Sequence, residues 1–182
     1  MELQQKIEAI TDEMIAIRRE LHQHPELGTQ ELETQKRISA LLDKWGIEHK
    51  PCADTGIVGI IRGGKPGNVV GIRADIDALP LQEDRSRSYC SLNDGVMHAF
   101  GHDVHTTILL GVARMCKELG QELPGTVKLF FQPAEETVGG GDRMVREGCC
   151  KDPDVDYTIG LHVQPDMEVG TVEMRYGPLN AS

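Results

Sequence analysis

The chain has 182 residues, 39% hydrophobic and 26% charged, with a formal net charge of −10. That length suits one domain with a real core rather than two, and the composition is that of a soluble globular protein. The acidity is offset by no basic stripe, which excludes nucleic acid and anionic membrane surfaces as partners, and no apolar run is long enough to span a bilayer.

The first segment places Leu3, Ile7, Ile10, Met14, Ile17 and Leu21 at alternating steps of four and three. This spacing predicts an amphipathic helix that stops near His24-Pro25, because proline disfavours helical geometry in the residue before it. A second helix is expected from about Gln30 to Trp45, with Gly46 as its C-terminal stop. The period then changes. GIVGII (Gly56 to Ile61) and NVVGIRA (Asn68 to Ala74) are β-branched runs separated by RGGKPG, which reads as a hairpin or tight connection. The polar, aperiodic stretch Gln82 to Asp94 is expected to be the least ordered.

Helical spacing returns from Val104 to Leu119, followed by a buried strand at TVKLFF (Thr126 to Phe131) and a short helix at Asp142 to Glu147. YTIGLHV (Tyr157 to Val163) reads as a strand closed by His162, and Val169 to Met174 as a further strand near an edge. Strands with continuous apolar runs that alternate with helices indicate an α/β sandwich. The N-terminus lacks a basic segment followed by an apolar one, so no secretory signal is expected. Five cysteines without a CxxC pair read as free thiols, and a cytoplasmic location follows.

Two glycine patterns invite a phosphate-binding reading. Gly59 to Lys65 has GxxxxGK spacing, but Pro66 stands where a magnesium-holding hydroxyl is needed, and a turn is the better account. Gly139 to Gly141, before a short helix, can hold an anion at the helix N-terminus or simply permit close backbone packing, the commoner case.

The remaining candidates lie at the ends of predicted strands. MHAFGHDVHTT (Met97 to Thr107) crowds three histidines and an aspartate into eleven residues, with His102 and Asp103 just before a helix. Glu135 and Glu136 follow TVKLFF, and His162 closes its own strand. In an open α/β sheet, ligands bind beyond the carboxyl ends of the strands, so three segments deliver His, Glu-Glu and His to one edge. Imidazole and carboxylate together suit zinc, manganese or iron, while a second carboxylate can take a proton from water. Taken singly, Glu135-Glu136 also reads as a solvated helix start, and His162 as an ordinary surface or core histidine.

RADIDALPLQE (Arg73 to Glu83), GVMHAFGHDVHTT (Gly95 to Thr107), FQPAEETVGGGDRM (Phe131 to Met144) and GLHVQP (Gly160 to Pro165) resemble the M20 metallopeptidase family. The likeness is closest to its amidohydrolase branch of hippurate hydrolases, auxin-conjugate hydrolases and N-acyl-amino-acid deacylases. IRRELHQHPELG (Ile17 to Gly28) resembles the opening helix of that branch. The resemblance implies a three-layer α/β/α sandwich with a mixed, mostly parallel sheet, incomplete here. Residues 1–182 would be the N-terminal segment of the catalytic domain, without the lid and dimerisation domain and the C-terminal catalytic segment.

The resemblance also implies two divalent metals, zinc or manganese, and hydrolysis of an N-acyl amino acid, a small-molecule substrate. His102, Glu136 and His162 match metal ligands, and Glu135 matches the general base. Asp103 and His105 are expected to orient ligands or cap the helix, and His22, His24 and Glu26 to be structural. The family pattern HACGHD reads HAFGHD here, so Phe100 takes the place of a cysteine ligand and contributes neither charge nor donor. This loss implies impaired activity, or an inactive remnant with a binding or assembly role. An incomplete sheet exposes an apolar edge and favours self-association.

Overall fold

The computed structural model of the chain describes residues 3–174. Along it run α1 (Leu3–Gln23), α2 (Leu32–Lys44), β1 (Glu48–Cys52), β2 (Gly56–Arg62), β3 (Lys65–Asp75), α3 (His102–Leu119), β4 (Pro124–Gln132), α4 (Gly140–Arg146) and β5 (Tyr157–Gly160). α2 begins where the Glu26 carboxylate accepts the N–H groups of Glu33 and Thr34 and the Thr34 hydroxyl, satisfying donors that have no partner inside the helix. It ends at Gly46, whose φ of +63° is the left-handed stop anticipated from sequence.

The strands form one mixed sheet in the order β1-β2-β4-β3-β5. β1 with β2 and β2 with β4 are antiparallel, while β3 with β4 and β3 with β5 are parallel. The central strand β4 carries core residues on both faces. Val127, Leu129 and Phe131 join Ile38 and Leu42 of α2 and Leu109, Leu110 and Ala113 of α3 in the larger core. Phe130 points the other way, toward Cys52, Val58, Met144 of α4 and Cys149. Helices on both faces make the three layers of the sandwich. α1 packs against α3, with Met14 closing over Gly111.

Two expectations change, and one strand is new. β2 and β3 are joined by a short connection but form no hairpin, because β4 lies between them. The chain entering β4 fills that gap: a side chain on Gly63 would begin 2.0 Å from the Leu123 carbonyl oxygen. Residues 169–174 form no strand, and Val169, Val172 and Met174 stand almost fully exposed. The strand β1, which no sequence pattern indicated, pairs along the sheet's other edge.

Both glycine patterns resolve as backbone packing. Gly59 lies within β2 against Leu129, and Lys65 opens a strand rather than a helix. A Cβ at Gly140 would stand 1.9 Å from the Pro133 carbonyl oxygen. No helix of the described residues is long and apolar enough to cross a membrane.

The stretch 82–94 has no helix or strand, yet it is anchored. Buried Glu83 accepts a hydrogen bond from His22 Nε2 at 3.0 Å and another from the Ser91 N–H at 2.6 Å. His22 Nδ1 donates to Asp103 at 2.7 Å, and Arg18 pairs with the same carboxylate at 2.9 Å. Since both His22 nitrogens donate to carboxylates, the ring is an imidazolium that ties α1, α3 and the loop together. The bond to Asp103 raises the His22 pKa above 6.5 despite burial, and Glu83 adds to it. The carboxyls of Asp103 and Glu83 are lowered: burial opposes the charge, but the His22 bond together with Arg18 and His98 at Asp103, and with the Ser91 N–H at Glu83, outweighs it.

The sign of the linkage follows. The His22 contribution is full below its ordinary pKa and is lost as pH rises through the raised value, while the carboxylate contributions are lost in acid. His22→Gln is therefore expected to cost about 2 kcal/mol near pH 5.5, from hydrogen bonds to charged groups. The difference in urea midpoint should shrink steadily as pH rises above about 6.5; a gap independent of pH would contradict the imidazolium.

Candidate metal centre

Because β3, β4 and β5 run parallel, their carboxyl ends share one edge of the sheet. β3 ends there on Asp75, with Asp77 two residues on; β4 leads into Ala134, Glu135 and Glu136; β5 leads toward His162. The first turn of α3 brings His102 and His105 to the same place. Gly101 precedes it with φ +83° and only 2.5 Å between its potential Cβ and Val163 Cγ2. A side chain at Gly101 would push the segment after β5 away.

His102 is the hinge of the arrangement. Its Nδ1–H donates to the Asp77 carbonyl oxygen at 2.9 Å, which leaves Nε2 as the open position of the ring. That Nε2 is buried and has no hydrogen-bond partner, while Asp75 Oδ2 and Glu136 Oε1 each stand 3.6 Å away. An unsatisfied buried polar atom costs about 1–3 kcal/mol, so a ring nitrogen facing two carboxylates calls for a positive charge there, a proton or a metal ion. One donor atom each from His102, Glu135 and Glu136 lies within 4.8 Å of the others. A divalent metal suits this set of nitrogen and oxygen donors.

The charges around His102 are arranged consistently. Burial works against its protonation, but the hydrogen bond to Asp77 and the charges of Asp75 and Asp77 raise its pKa. Burial also opposes the Asp75 charge, yet the His105 hydrogen bond and the nearby His102 and Arg73 hold its carboxyl down to about 2. Burial and the neighbouring Glu135 push Glu136 up. An excess of carboxylate with a raised member is what a bound cation relieves.

His102, His105 and His162 form a second cluster with donor atoms equally close. The imidazole centroids of His105 and His162 are 4.5 Å apart, and those of His102 and His162 are 6.2 Å apart. His105 is already engaged at both nitrogens. Its Nδ1–H donates to Asp75 Oδ1 at 2.6 Å, and its Nε2 accepts the Val163 N–H at 3.0 Å. His162 is exposed and lies two residues beyond the end of β5 rather than closing it. Its Nδ1–H donates to the Val163 carbonyl, which frees Nε2. Of the four residues singled out from sequence, His102 thus meets the two glutamates on one side and His162 on the other; the described residues do not gather all four into one group.

The third histidine of the motif, His98, is buried and outside both groups, and burial pushes its pKa down to about 4. Phe100, two residues before His102, is 51% exposed, and its phenyl ring has no donor atom. Asp75 and Asp77 were not singled out as site residues from sequence. The signal was present in RADID: two aspartates at the end of an apolar strand, two residues apart, project to one face. Both are buried, as aspartates rarely are without a partner.

Known proteins share this architecture. The chain is 43% identical over 177 residues to an N-acetyl-L-cysteine deacetylase of Bacillus subtilis (strain 168), covering 97% of this chain and 42% of that protein. It is 46% identical over 171 residues to an IAA-amino acid hydrolase of Arabidopsis thaliana, covering 93% of this chain and 38% of the relative. The crystal structure of a Bacillus subtilis protein described as a dinuclear metal binding peptidase from the M20 family superposes with a TM-score of 0.89 at 42% identity, over 94% of this chain and 48% of that one. The chain therefore spans less than half the length of these relatives. The family model for peptidase family M20/M25/M40 matches residues 71–177, the stretch that carries Asp75, His102, Glu136 and His162, and the chain belongs to that family.

Proposed function

We propose that residues 1–182 form the N-terminal segment of the catalytic domain of a divalent-metal amidohydrolase that cleaves the amide bond of N-acyl amino acids. The observation that carries this reading is the partnerless, buried Nε2 of His102 facing Glu136, with Glu135 alongside. Deacetylation of N-acetylcysteine and hydrolysis of an IAA–amino acid, the activities named for two relatives, both part an amino acid from an acyl group.

In this reading His102, Glu136 and His162 hold the metal, zinc or manganese; the dinuclear relative binds two ions, and Phe100 leaves this chain a weaker hold on the second. A divalent cation there supplies Lewis acidity, lowering the pKa of water and polarising the amide carbonyl. Asp77 orients His102 through its carbonyl and Glu136 through the backbone N–H, donated at 3.0 Å to Asp77 Oδ2. Glu135, exposed at the mouth, takes a proton from the attacking water and returns it to the amine nitrogen as the C–N bond breaks.

Glu135→Gln is expected to lower hydrolysis of N-acetyl amino acids by about 10²- to 10⁴-fold while reducing cobalt uptake far less, because the amide keeps an oxygen donor. His102→Ala should abolish uptake, read from the visible spectrum of Co(II). Uptake that survives loss of His102 would rule the centre out.

Phe100 supports a weakened centre, because a phenyl ring stands where a thiolate would add charge and a soft donor. Elemental analysis is expected to find at most one equivalent of metal in the natural chain and a second in Phe100→Cys. No metal in either would favour the second reading, an inactive chain with a binding or assembly role. A cytoplasmic location belongs to the same proposal, since all five thiols are unpaired. So does self-association through β5, where Tyr157 and Ile159 are more than half exposed along the sheet edge. Ile159→Lys is expected to shift sedimentation toward the monomer, and an unchanged profile would place the contact elsewhere.

A further inference from the structure

We propose that Glu31 is a positioning residue, a buried carboxylate that clamps the backbone at Ala134 and so aims the Glu135–Glu136 pair at His102. The proposal rests on the metal-centre reading above.

Glu31 precedes α2 and lies 104 residues from Glu135, yet its side chain is wholly buried. Its Oε1 accepts the Ala134 N–H at 2.8 Å, and its Oε2 accepts the Thr55 hydroxyl at 2.6 Å. No cation pairs with it among the described residues. A fully buried carboxylate held by two neutral donors is a costly choice for a helix start, where an exposed serine or aspartate would serve as well. Its placement points to what it holds.

Ala134 is the residue it holds, and its backbone needs holding. Its φ is +50°, in the left-handed region that a non-glycine residue occupies only under constraint. The two residues that follow carry the carboxylates of the centre. The Glu136 N–H is fixed by Asp77, and the Ala134 carbonyl accepts the Gly140 N–H at 3.3 Å. Glu31 supplies the anchor on the remaining side. The same segment closes in through Gly28, whose potential Cβ would stand 3.1 Å from Ala134 Cα and 2.7 Å from Thr137 Oγ1. Segment 28–31 therefore lies directly against the loop that bears the glutamates.

The test compares Glu31→Gln, Glu31→Met and a core control, Leu42→Ala, in the full chain. Two readouts are used: hydrogen exchange of the Ala134 amide without metal, and Co(II) affinity from the visible spectrum. Glutamine can still accept the Ala134 N–H while its amide donates to Thr55, so this variant should keep slow exchange and bind cobalt within about threefold. Methionine fills the space without an acceptor; its Ala134 amide should exchange fast, and cobalt affinity should fall about 10- to 100-fold, as for other partners that orient metal ligands.

Leu42→Ala should destabilise the chain without changing cobalt affinity. Unchanged affinity in Glu31→Met, or an equal loss in Leu42→Ala, overturns the proposal. If Glu31→Met does not fold, Thr55→Val decides: freeing one of the two anchors should weaken uptake by about threefold or more, and unchanged uptake overturns the clamp. A natural chain that takes up no cobalt sinks the metal-centre reading alone. Exchange of the Ala134 amide then decides the clamp, and fast exchange in the natural chain refutes it.

Discussion

At the end of β3, the short stretch from Asp75 to Asp77 ties together every element that carries the centre. The Asp77 carbonyl takes the His102 Nδ1–H and its carboxylate takes the Glu136 N–H, so one residue sets both the tautomer of the imidazole and the path of the chain after β4. Asp75 takes the His105 Nδ1–H, and His105 in turn takes the Val163 N–H beside His162. Both aspartates are buried, at 1% exposure each. If either lost its partners, an uncompensated charge would sit in the interior, at a cost of several kcal/mol.

This dependence explains why the centre stands on regular elements although its ligands lie in loops. Parallel strands bring their carboxyl ends to one edge, and α3 starts at that edge because Gly101 lets the chain turn there. Buried carboxylates hold the backbone of the loops: Glu31 at Ala134, Asp77 at Glu136, Glu83 at Ser91. The molecule uses negative charge inside as scaffolding, and its net charge of −10 is only the visible part of that habit. Such a field around His102 Nε2 is stable when a cation shares it.

Much of the framework was legible in the chain. Period-3.6 spacing located α1, α2 and α3, and a continuous apolar run located β4, to within a few residues, because burial on one face or both leaves a trace in the chain. The grouping of His102 with Glu135 and Glu136 was anticipated from their places at strand ends. The crossing of β4 between β2 and β3 was not, since pairing between residues 57 to 74 positions apart leaves no local mark. His162 stands past its strand and exposed, and an apolar run with a terminal histidine reads the same whether the strand reaches it or stops two residues short.

The sequence alone settled what kinds of group were available: imidazoles, paired glutamates, a phenyl ring at a cysteine's place, and the apolar stripes that bury the sheet. These follow from composition and periodicity, which need no partner to be read. Only the tertiary structure decided which groups remain free. His105 has the same side chain as His102, but both its nitrogens are taken, while one nitrogen of His102 is left open. Glu31 has the same side chain as Glu135, but it is buried beneath the loop that Glu135 crowns. Hydrogen-bond partners tens of residues away set these differences, and no stretch of chain short enough to read as a motif contains both ends of such a bond.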